Sequence, residues 1–504
     1  MKSLARVLEL WTKILGKENI IADEAHLTKA QKATFSTKQK ILAVIFPKDR
    51  NEVQDCLIIA NSHNIPVYPV STGKNWGYGS MVPPKDSVVM NLSRLNKITD
   101  FNEELAYVTV EPGVTFNQLY KFLLDKKSSL TISTIGGSSD SSFIGNLSER
   151  GISKGTYGNL YENVSNLEIV LPTGEVINTG FAGLGLEKLS SISREGIGPE
   201  IIGLFTQSNF GVITRMTLWL QPRPKYSRVL SFHIEDNVYL GKAIDALRIL
   251  KLEKTIDGNF LIADEFRALS NFQQYPWKEI NGKTPLSRQA IIKVKKNLGL
   301  KGKWVGQVVL GAATKEELIG KEKRIRELLG KIIKMIYFID LKNDFYKPSD
   351  FAIRSCYWRK KTPIPKKMDP DRDGCGVLWI SPAAPFVGRN VLEVVGIMEK
   401  TMMKYGFEEN IGVSCLTDRK VYIIGSINYD LEVKEEDNKA LKCHDEIFKS
   451  LFSKGYFPYR LNIHSMSLLS GQSSGYFDFI KKIKKLIDPN NILAPGRYDR
   501  TFNI

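Results

Sequence analysis

The sequence predicts an α+β protein built in two parts, and three observations carry that prediction. The first 225 or so of its 504 residues alternate short apolar runs with Gly and Pro punctuation. Residues 226–458 change texture, setting long amphipathic stretches of helical period between strand-like runs. The tail closes on a lysine-rich amphipathic stretch that stops at Asp488-Pro489-Asn490.

Taken in order, Leu4, Val7, Leu8, Trp11, Ile14 and Leu15 recur at helical spacing, interrupted by Glu9 and Lys13. That pattern is an amphipathic helix, not a signal peptide or a membrane span. The runs 42–46, 67–70, 88–92, 107–110, 167–171 and 211–220 read as strands, and 51–61 as a helix with Val53, Leu57, Ile58 and Ala60 on its apolar face. Gln221 to Lys225, QPRPK, is the expected exit from the first part. Beyond it, 314–335 reads as one helix with Leu318, Ile325, Leu328, Leu329, Ile332 and Ile333 inward, between strands at 305–310 and 377–380. The final helix, 476–486, places Phe479, Ile480, Ile483 and Leu486 among lysines. The expected division is 1–225 completed by 459–504, with 226–458 as the second domain.

Composition narrows the function classes. At 42% hydrophobic and 25% charged the chain is globular, not disordered or collagen-like. No window approaches about 18 uncharged apolar residues, so a membrane role is not expected. The five cysteines are scattered without CxxC pairs, which argues against a disulfide framework or a zinc site and fits a cytoplasmic location. The net charge of +17 comes without any nucleic-acid-binding signature, so the lysines read as solvated faces.

Chemistry enters at 66–80, PVYPVSTGKNWGYGS. A strand runs into a loop with Gly73, Gly77 and Gly79, the small hydroxyls Ser71 and Thr72, the cation Lys74 and the amide Asn75. Such a loop lets backbone N–H groups approach a pyrophosphate. GxxxxGK[ST] and a helix-opening GxGxxG are both absent, which disfavours a P-loop or a dinucleotide site of the Rossmann type. The EPGVT turn at 111–115 leads to a second small-residue region at 133–155, containing Gly136-Gly137-Ser138-Ser139-Asp140 and Gly145-Asn146. Two such loops suggest a long cofactor touched by backbone at both ends.

STGKNWGYG, EPGVT, GN followed by ERG and TYG, LEIVLPTGEVINTG, LFTQSNFGVIT and the closing DPNNILAPG together resemble the 4-phenol-oxidising flavoenzymes. These are the vanillyl-alcohol oxidase, eugenol oxidase and 4-cresol dehydrogenase flavoprotein family, with the PCMH-type FAD-binding fold. The resemblance covers nearly the whole chain. It implies a two-domain α+β enzyme in which a cap domain covers the isoalloxazine of FAD. Residue by residue, Ser71, Thr72, Gly73, Lys74, Asn75 and Gly77 match the loop on the FAD pyrophosphate. Gly145, Asn146, Gly151, Tyr157 and Gly158 match the second FAD loop, and Gly211, Val212 and Ile213 the strand beside the cofactor.

The same resemblance places Tyr78, Tyr459 and Arg460 around a substrate phenol oxygen, where two phenolic donors and a guanidinium would hold a phenolate. The position near flavin N5, a carboxylate in the oxidases and a serine in the cresol enzyme, falls at Gly137 or Ser138, with Asp140 nearby as a candidate acid. The family's covalent tether position falls on Val377, which cannot form the bond. The cofactor is therefore expected to be non-covalent FAD, with Cys375 as a backup tether. The expected substrate is a small phenol oxidised at its benzylic carbon through a quinone methide. Oxygen or a redox partner would be the electron acceptor, and a homodimer is expected.

Alternatives stand beside that reading. An oxidative decarboxylase of a para-hydroxyphenyl acid would use basic residues at the pocket mouth, with Arg354 and Arg359 as candidates. A hydroxy-acid or sugar oxidase on the same fold would not need the Tyr-Arg pair. A nucleic-acid-binding protein with a vestigial flavin fold would bind in a salt-dependent way without flavin. Glu149 with Arg150 reads as a structural ion pair, His444 as exposed and His464 as structural. Trp304, Trp358 and Trp379 read as core.

Overall fold

The computed structural model describes residues 2–278, 280, 282, 284–341, 345–469 and 475–499. Three main sheets appear among the described residues. The first has four strands in the order Ile20–Ile21, Ile41–Ile45, Ser87–Asn91, Val67–Val70, the last three parallel. Helices Lys2–Leu15 and Arg50–Ser62 bury Val7, Trp11, Val53, Leu57 and Ala60 in a core shared with Ala43, Ile45, Val67 and Met90. Asp49 caps the second helix by accepting from the Glu52 N–H.

The second sheet is antiparallel, ordered Ile98–Asn102, Tyr107–Val110, Val212–Trp219, Val164–Val170, Val176–Asn178. Helices Phe116–Asp125 and Phe143–Ser148 close its core with Phe116, Leu119, Phe143 and Leu147.

The third sheet has nine antiparallel strands, drawn from Tyr226–Ile234 through Phe457–Pro458. Strand Trp304–Ala312 shows why it forms: every second residue, Trp304, Gly306, Val308, Leu310 and Ala312, is buried, the period of a pleated strand. Helices Asn237–Leu252, Lys315–Leu329, Gly388–Lys404 and Lys434–Ser453 contribute to the core beside it. The expected helix to 335 stops at Leu329, and Met335–Asp340 is instead a strand paired with Tyr226–Ile234. Ile332 and Ile333 keep the helical period but sit in a turn after Gly330. Ladder pairing outweighs local periodicity there.

The tail fixes the strand that feeds the glycine loop. Val67 N–H donates to Ile492 O, and Ala494 N–H donates to Val67 O, both at 2.7 Å. Asp488 holds this return by accepting from the N–H groups of Ile492 and Leu493, and it pairs with buried Lys484 at 2.7 Å. No described helix is long and apolar enough to cross a membrane.

Candidate active site

A cavity of about 390 Å³ opens where the three sheets approach one another. Residues 68–76 and segments of 135–154, 205–213 and 493–497 form one side. Asn259, Leu261, Arg267, Trp379, Ser414 and Ile424 face them from the nine-stranded sheet and its helices.

The loop after strand Val67–Val70 has the chemistry of an anion cradle. Among the described residues, the backbone N–H groups of 71–76 donate to no protein acceptor, although all six residues line the cavity. Gly73 turns with φ 70°. Gly145 lies so close to the loop that a Cβ there would sit 2.4 Å from Ser71 Oγ. Asn146 Oδ1 is buried without a partner. This wall suits an extended, phosphate-bearing cofactor, since orphaned donors and close backbone approach are what such a group requires.

Of the residues expected at the cofactor, Ser71, Thr72, Gly73, Lys74, Asn75, Gly145, Asn146, Gly151, Gly211, Val212 and Ile213 line the cavity. Gly77, Tyr157 and Gly158 do not, and their surroundings give the reason. Gly77 donates to Thr34 Oγ1, accepts from Trp379 N–H, and leaves room for the Trp379 ring, whose Cδ1 a Cβ would meet at 1.9 Å. Gly158 O accepts from Ser153 N–H and Tyr157 N–H donates to Gln221 Oε1, so both shape the loop from behind.

Tyr78, Tyr459 and Arg460 come together as expected. The Arg460 guanidinium lies 3.7 Å from the centroid of the Tyr78 ring and donates to Asn75 Oδ1 at 2.6 Å. Its Nε is buried with no protein partner. Tyr78 OH is 3.2 Å from Ser381 Oγ, and Tyr459 N–H donates to Ser381 O at 3.0 Å, so one serine ties both tyrosines to the same strand end. Ile463 N–H donates to Tyr78 O at 3.0 Å. Burial raises the Tyr459 hydroxyl, and the neighbouring Tyr78 adds to this while Arg460 opposes it. Tyr459 is thus a neutral donor. Burial works against the Arg460 charge, but Tyr78 and Glu149 outweigh it and raise its pKa.

Sequence reasoning misread Glu149. It does not pair with Arg150, which donates to Thr206 Oγ1. Its carboxylate instead joins Arg497, accepts from Tyr498 OH at 2.8 Å and lies 3.8 Å from Arg460. Burial would raise this carboxyl, yet Arg497 and Arg460 hold it below the ordinary range.

The acid position differs as well. Gly136 and Gly137 are on the wall, but Ser138 and Asp140 are not. Ser138 Oγ accepts from Asp140 N–H, and the Asp140 residue is exposed. Both belong to a turn that presents its glycines to the cavity. Arg354 donates to Asn271 O, and fully buried Arg359 pairs with Glu408 at 2.7 Å, so neither reaches the pocket. Trp304 and Trp358 are core as expected, whereas Trp379 lines the cavity. His444 is buried rather than exposed, with Nε2 3.1 Å from Asn462 Nδ2. His464 pairs with Asp445 at 2.8 Å. Val377 and Cys375 are buried in strand Cys375–Ile380 and do not line the cavity. The missed residues are Arg267, Lys154 and Arg497, of which Lys154 alone lies within a segment the sequence singles out, the small-residue region 133–155.

Similarity to known proteins agrees with this geometry. Residues 41–180 match the FAD binding domain family. The chain is 39% identical over 527 residues to a 1'-carboxy-chondrochloren decarboxylase of Chondromyces crocatus, covering 98% of this chain and 97% of the relative. It is 27% identical to the 4-cresol dehydrogenase [hydroxylating] flavoprotein subunit of Pseudomonas putida, covering 98% and 95%. The structure of substrate-bound p-cresol methylhydroxylase superposes with TM-score 0.91 at 25% identity, over 100% of this chain and 98% of the other. A 4-ethylphenol oxidase from Gulosibacter chungangensis shares the fold at TM-score 0.89 and 23% identity, over 99% and 97%. The α+β fold expected from the motifs is therefore the one found, and the chain belongs to the FAD-dependent oxidoreductases of the p-cresol methylhydroxylase type.

Proposed function

We propose that this enzyme removes hydride from the benzylic carbon of a para-substituted phenol. The observation that carries the reading is the stacking of Arg460 on Tyr78 at 3.7 Å, beside Tyr459, in the cavity that also holds the anion cradle. A phenol oxygen placed among these groups meets two tyrosine hydroxyls and a fixed positive charge. Each stabilises the phenolate over the phenol. The phenolate's electrons then enter the ring, the benzylic C–H bond breaks, and its electron pair departs with the hydrogen. Bound FAD supplies the acceptor for that hydride. The remaining quinone methide is neutral, and water addition gives an alcohol while loss of a proton or of CO2 gives an alkene.

Residues 71–75, Gly145, Asn146, Gly151 and 211–213 would hold the cofactor, without a covalent link because the tether position is Val377. The proposed cofactor part is 1–225 with 459–504, and 226–458 is the part that covers the substrate. A small phenolic substrate, and oxygen or a redox partner as acceptor, complete the reading. The 39% relative is named a decarboxylase, which favours a second reading in which the para side chain carries a carboxylate lost as CO2.

Anaerobic titration of the purified flavoprotein with 4-alkyl and 4-hydroxyalkyl phenols tests this. Bleaching of the flavin band, with all flavin released on acid precipitation, is expected. Flavin that no phenol bleaches would overturn the phenol reading, and flavin retained in the precipitate would overturn the non-covalent one.

A further inference from the structure

We propose that Arg267 anchors a carboxylate on the para side chain of the substrate, an inference that rests on the phenol reading above. Arg267 stands in helix Glu265–Phe272 and reaches the cavity from the side opposite the anion cradle. Its side chain passes over Gly412, where a Cβ would lie 2.9 Å from Arg267 Cδ and Nε, so a glycine in strand Ile411–Cys415 makes its path possible. The guanidinium carbon lies 5.2 Å from the Trp379 ring centroid. Nη1 has only long contacts, 3.4 Å to Asn410 Oδ1 and 3.5 Å to Ile424 O.

Among the described residues, no carboxylate lies within 4.0 Å of it. The nearest candidate in sequence, Asp264, is engaged elsewhere, accepting the N–H groups of Arg267 at 2.7 Å and Ile411 at 2.8 Å. Burial lowers the Arg267 pKa, with Asp264 opposing the shift without cancelling it. Arg359 makes the contrast: fully buried where Arg267 is partly so, it is matched by Glu408 at 2.7 Å and sits over the Tyr275 ring. Of the other cavity cations, Arg460 and Arg497 share Glu149, and Lys74 and Lys154 come from the cofactor side.

A guanidinium held in place with its donor fork uncommitted is matched by a planar two-oxygen anion. Arg267 and Arg460 line the same cavity, so a substrate held at its phenolate by Arg460 can direct its para side chain to Arg267. This anchor acts on binding, not on hydride removal, because the carboxylate keeps its charge through that step, so the effect belongs in KM or Kd, with the rate of flavin reduction by saturating acid nearly unchanged.

The holoenzyme, Arg267→Gln and Arg267→Lys are compared with 3-(4-hydroxyphenyl)propanoate and its neutral primary amide. Binding is read from tryptophan fluorescence and turnover from anaerobic flavin reduction. Arg267→Gln is expected to weaken the acid about 10- to 100-fold, the range for hydrogen bonds to a charged group. The amide should change less than about threefold, and Arg267→Lys should retain part of the discrimination. Equal losses for acid and amide, or a wild-type enzyme indifferent to the carboxylate, would overturn the anchor. If the amide still bleaches the flavin in those cases, the phenol reading survives; if neither probe nor any 4-alkylphenol bleaches it, both readings fall.

Discussion

Replacing Glu149 by Gln separates structural from catalytic electrostatics in one substitution. The Glu149 carboxylate is bonded to Arg497 and to Tyr498 OH at 2.8 Å, stands 3.8 Å from Arg460, and its side chain is 11% exposed. Glutamine keeps the shape and one acceptor oxygen but turns two donors toward a pair of guanidinium groups. Breaking a buried ion pair from one side costs about 3–5 kcal/mol, and the retained acceptor places this case near about 3 kcal/mol. The effect on chemistry has the opposite sign: without the nearby anion, Arg460 attracts phenolate more strongly, so bound phenol should ionise at lower pH. Chemical denaturation of holoenzyme gives the first quantity, and pH titration of the bound phenol's absorbance the second.

The pH dependence of the stability gap follows from the direction of the shift. Glu149's folded pKa lies below the ordinary 4.5. The stability it contributes is therefore present above 4.5 and lost as pH falls through the folded value. The gap between wild type and Glu149→Gln should be flat from neutral pH down to about 5 and narrow below it. A variant within about 1 kcal/mol of wild type at pH 7, well below the cost of a broken buried pair, would refute the reasoning.

Tyr78→Phe and Tyr459→Phe should each lower kcat/KM for a 4-alkylphenol about 10- to 100-fold, the worth of one hydrogen bond to a charged oxygen; unchanged steady-state kinetics in both would argue against the phenolate site. Gly77→Ala adds a Cβ 1.9 Å from Trp379 Cδ1 at a φ of 76°. It should cost about 2–4 kcal/mol from left-handed strain and overpacking and reduce flavin occupancy, and a fully loaded, equally stable variant would contradict the geometry. Burial raises Asp371 from 3.8 to about 7 although Ser80 donates to it. Its folded pKa exceeds the unfolded one, so its contribution is complete below about pH 4 and is lost as pH rises through about 7, by up to about 4 kcal/mol. Asp371→Asn should flatten the decline in stability between about pH 4 and 7, measured by denaturant titration.

What could be read from the chain is what local chemistry writes into it. The run into Val67–Val70 and the glycine loop after it announce themselves, because strand period and backbone access are properties of consecutive residues. Tyr459 and Arg460 lie some 380 residues from Tyr78 and were found only through motif resemblance, since no spacing links them. Arg267 was missed for the same reason: what sets it apart from Arg359 is the absence of a carboxylate, a property of the packed structure. The turn at 136–140 failed differently. Motif resemblance pointed to Ser138 and Asp140 as the chemical groups, but the fold turns the glycines inward and leaves the aspartate in solvent.

The charges of the cavity bind these readings together. Among the described residues its wall carries five cations, Lys74, Lys154, Arg267, Arg460 and Arg497, against the single carboxylate Glu149. Such an excess in a partly enclosed space raises the free energy of the empty site and must be answered by what enters it. The diphosphate of a bound FAD brings two negative charges, leaving two cations uncompensated. A neutral alkylphenol ionised at Arg460 answers one of them. A phenol whose para side chain ends in a carboxylate answers both, which gives the acid a ground-state advantage that a neutral alkylphenol lacks. Because each charge interacts with its own cation, Arg460 or Arg267, the two contributions should be additive within about 0.5 kcal/mol in the double variant Tyr459→Phe with Arg267→Gln. A large coupling between them would mean that one anion, not two, occupies the site.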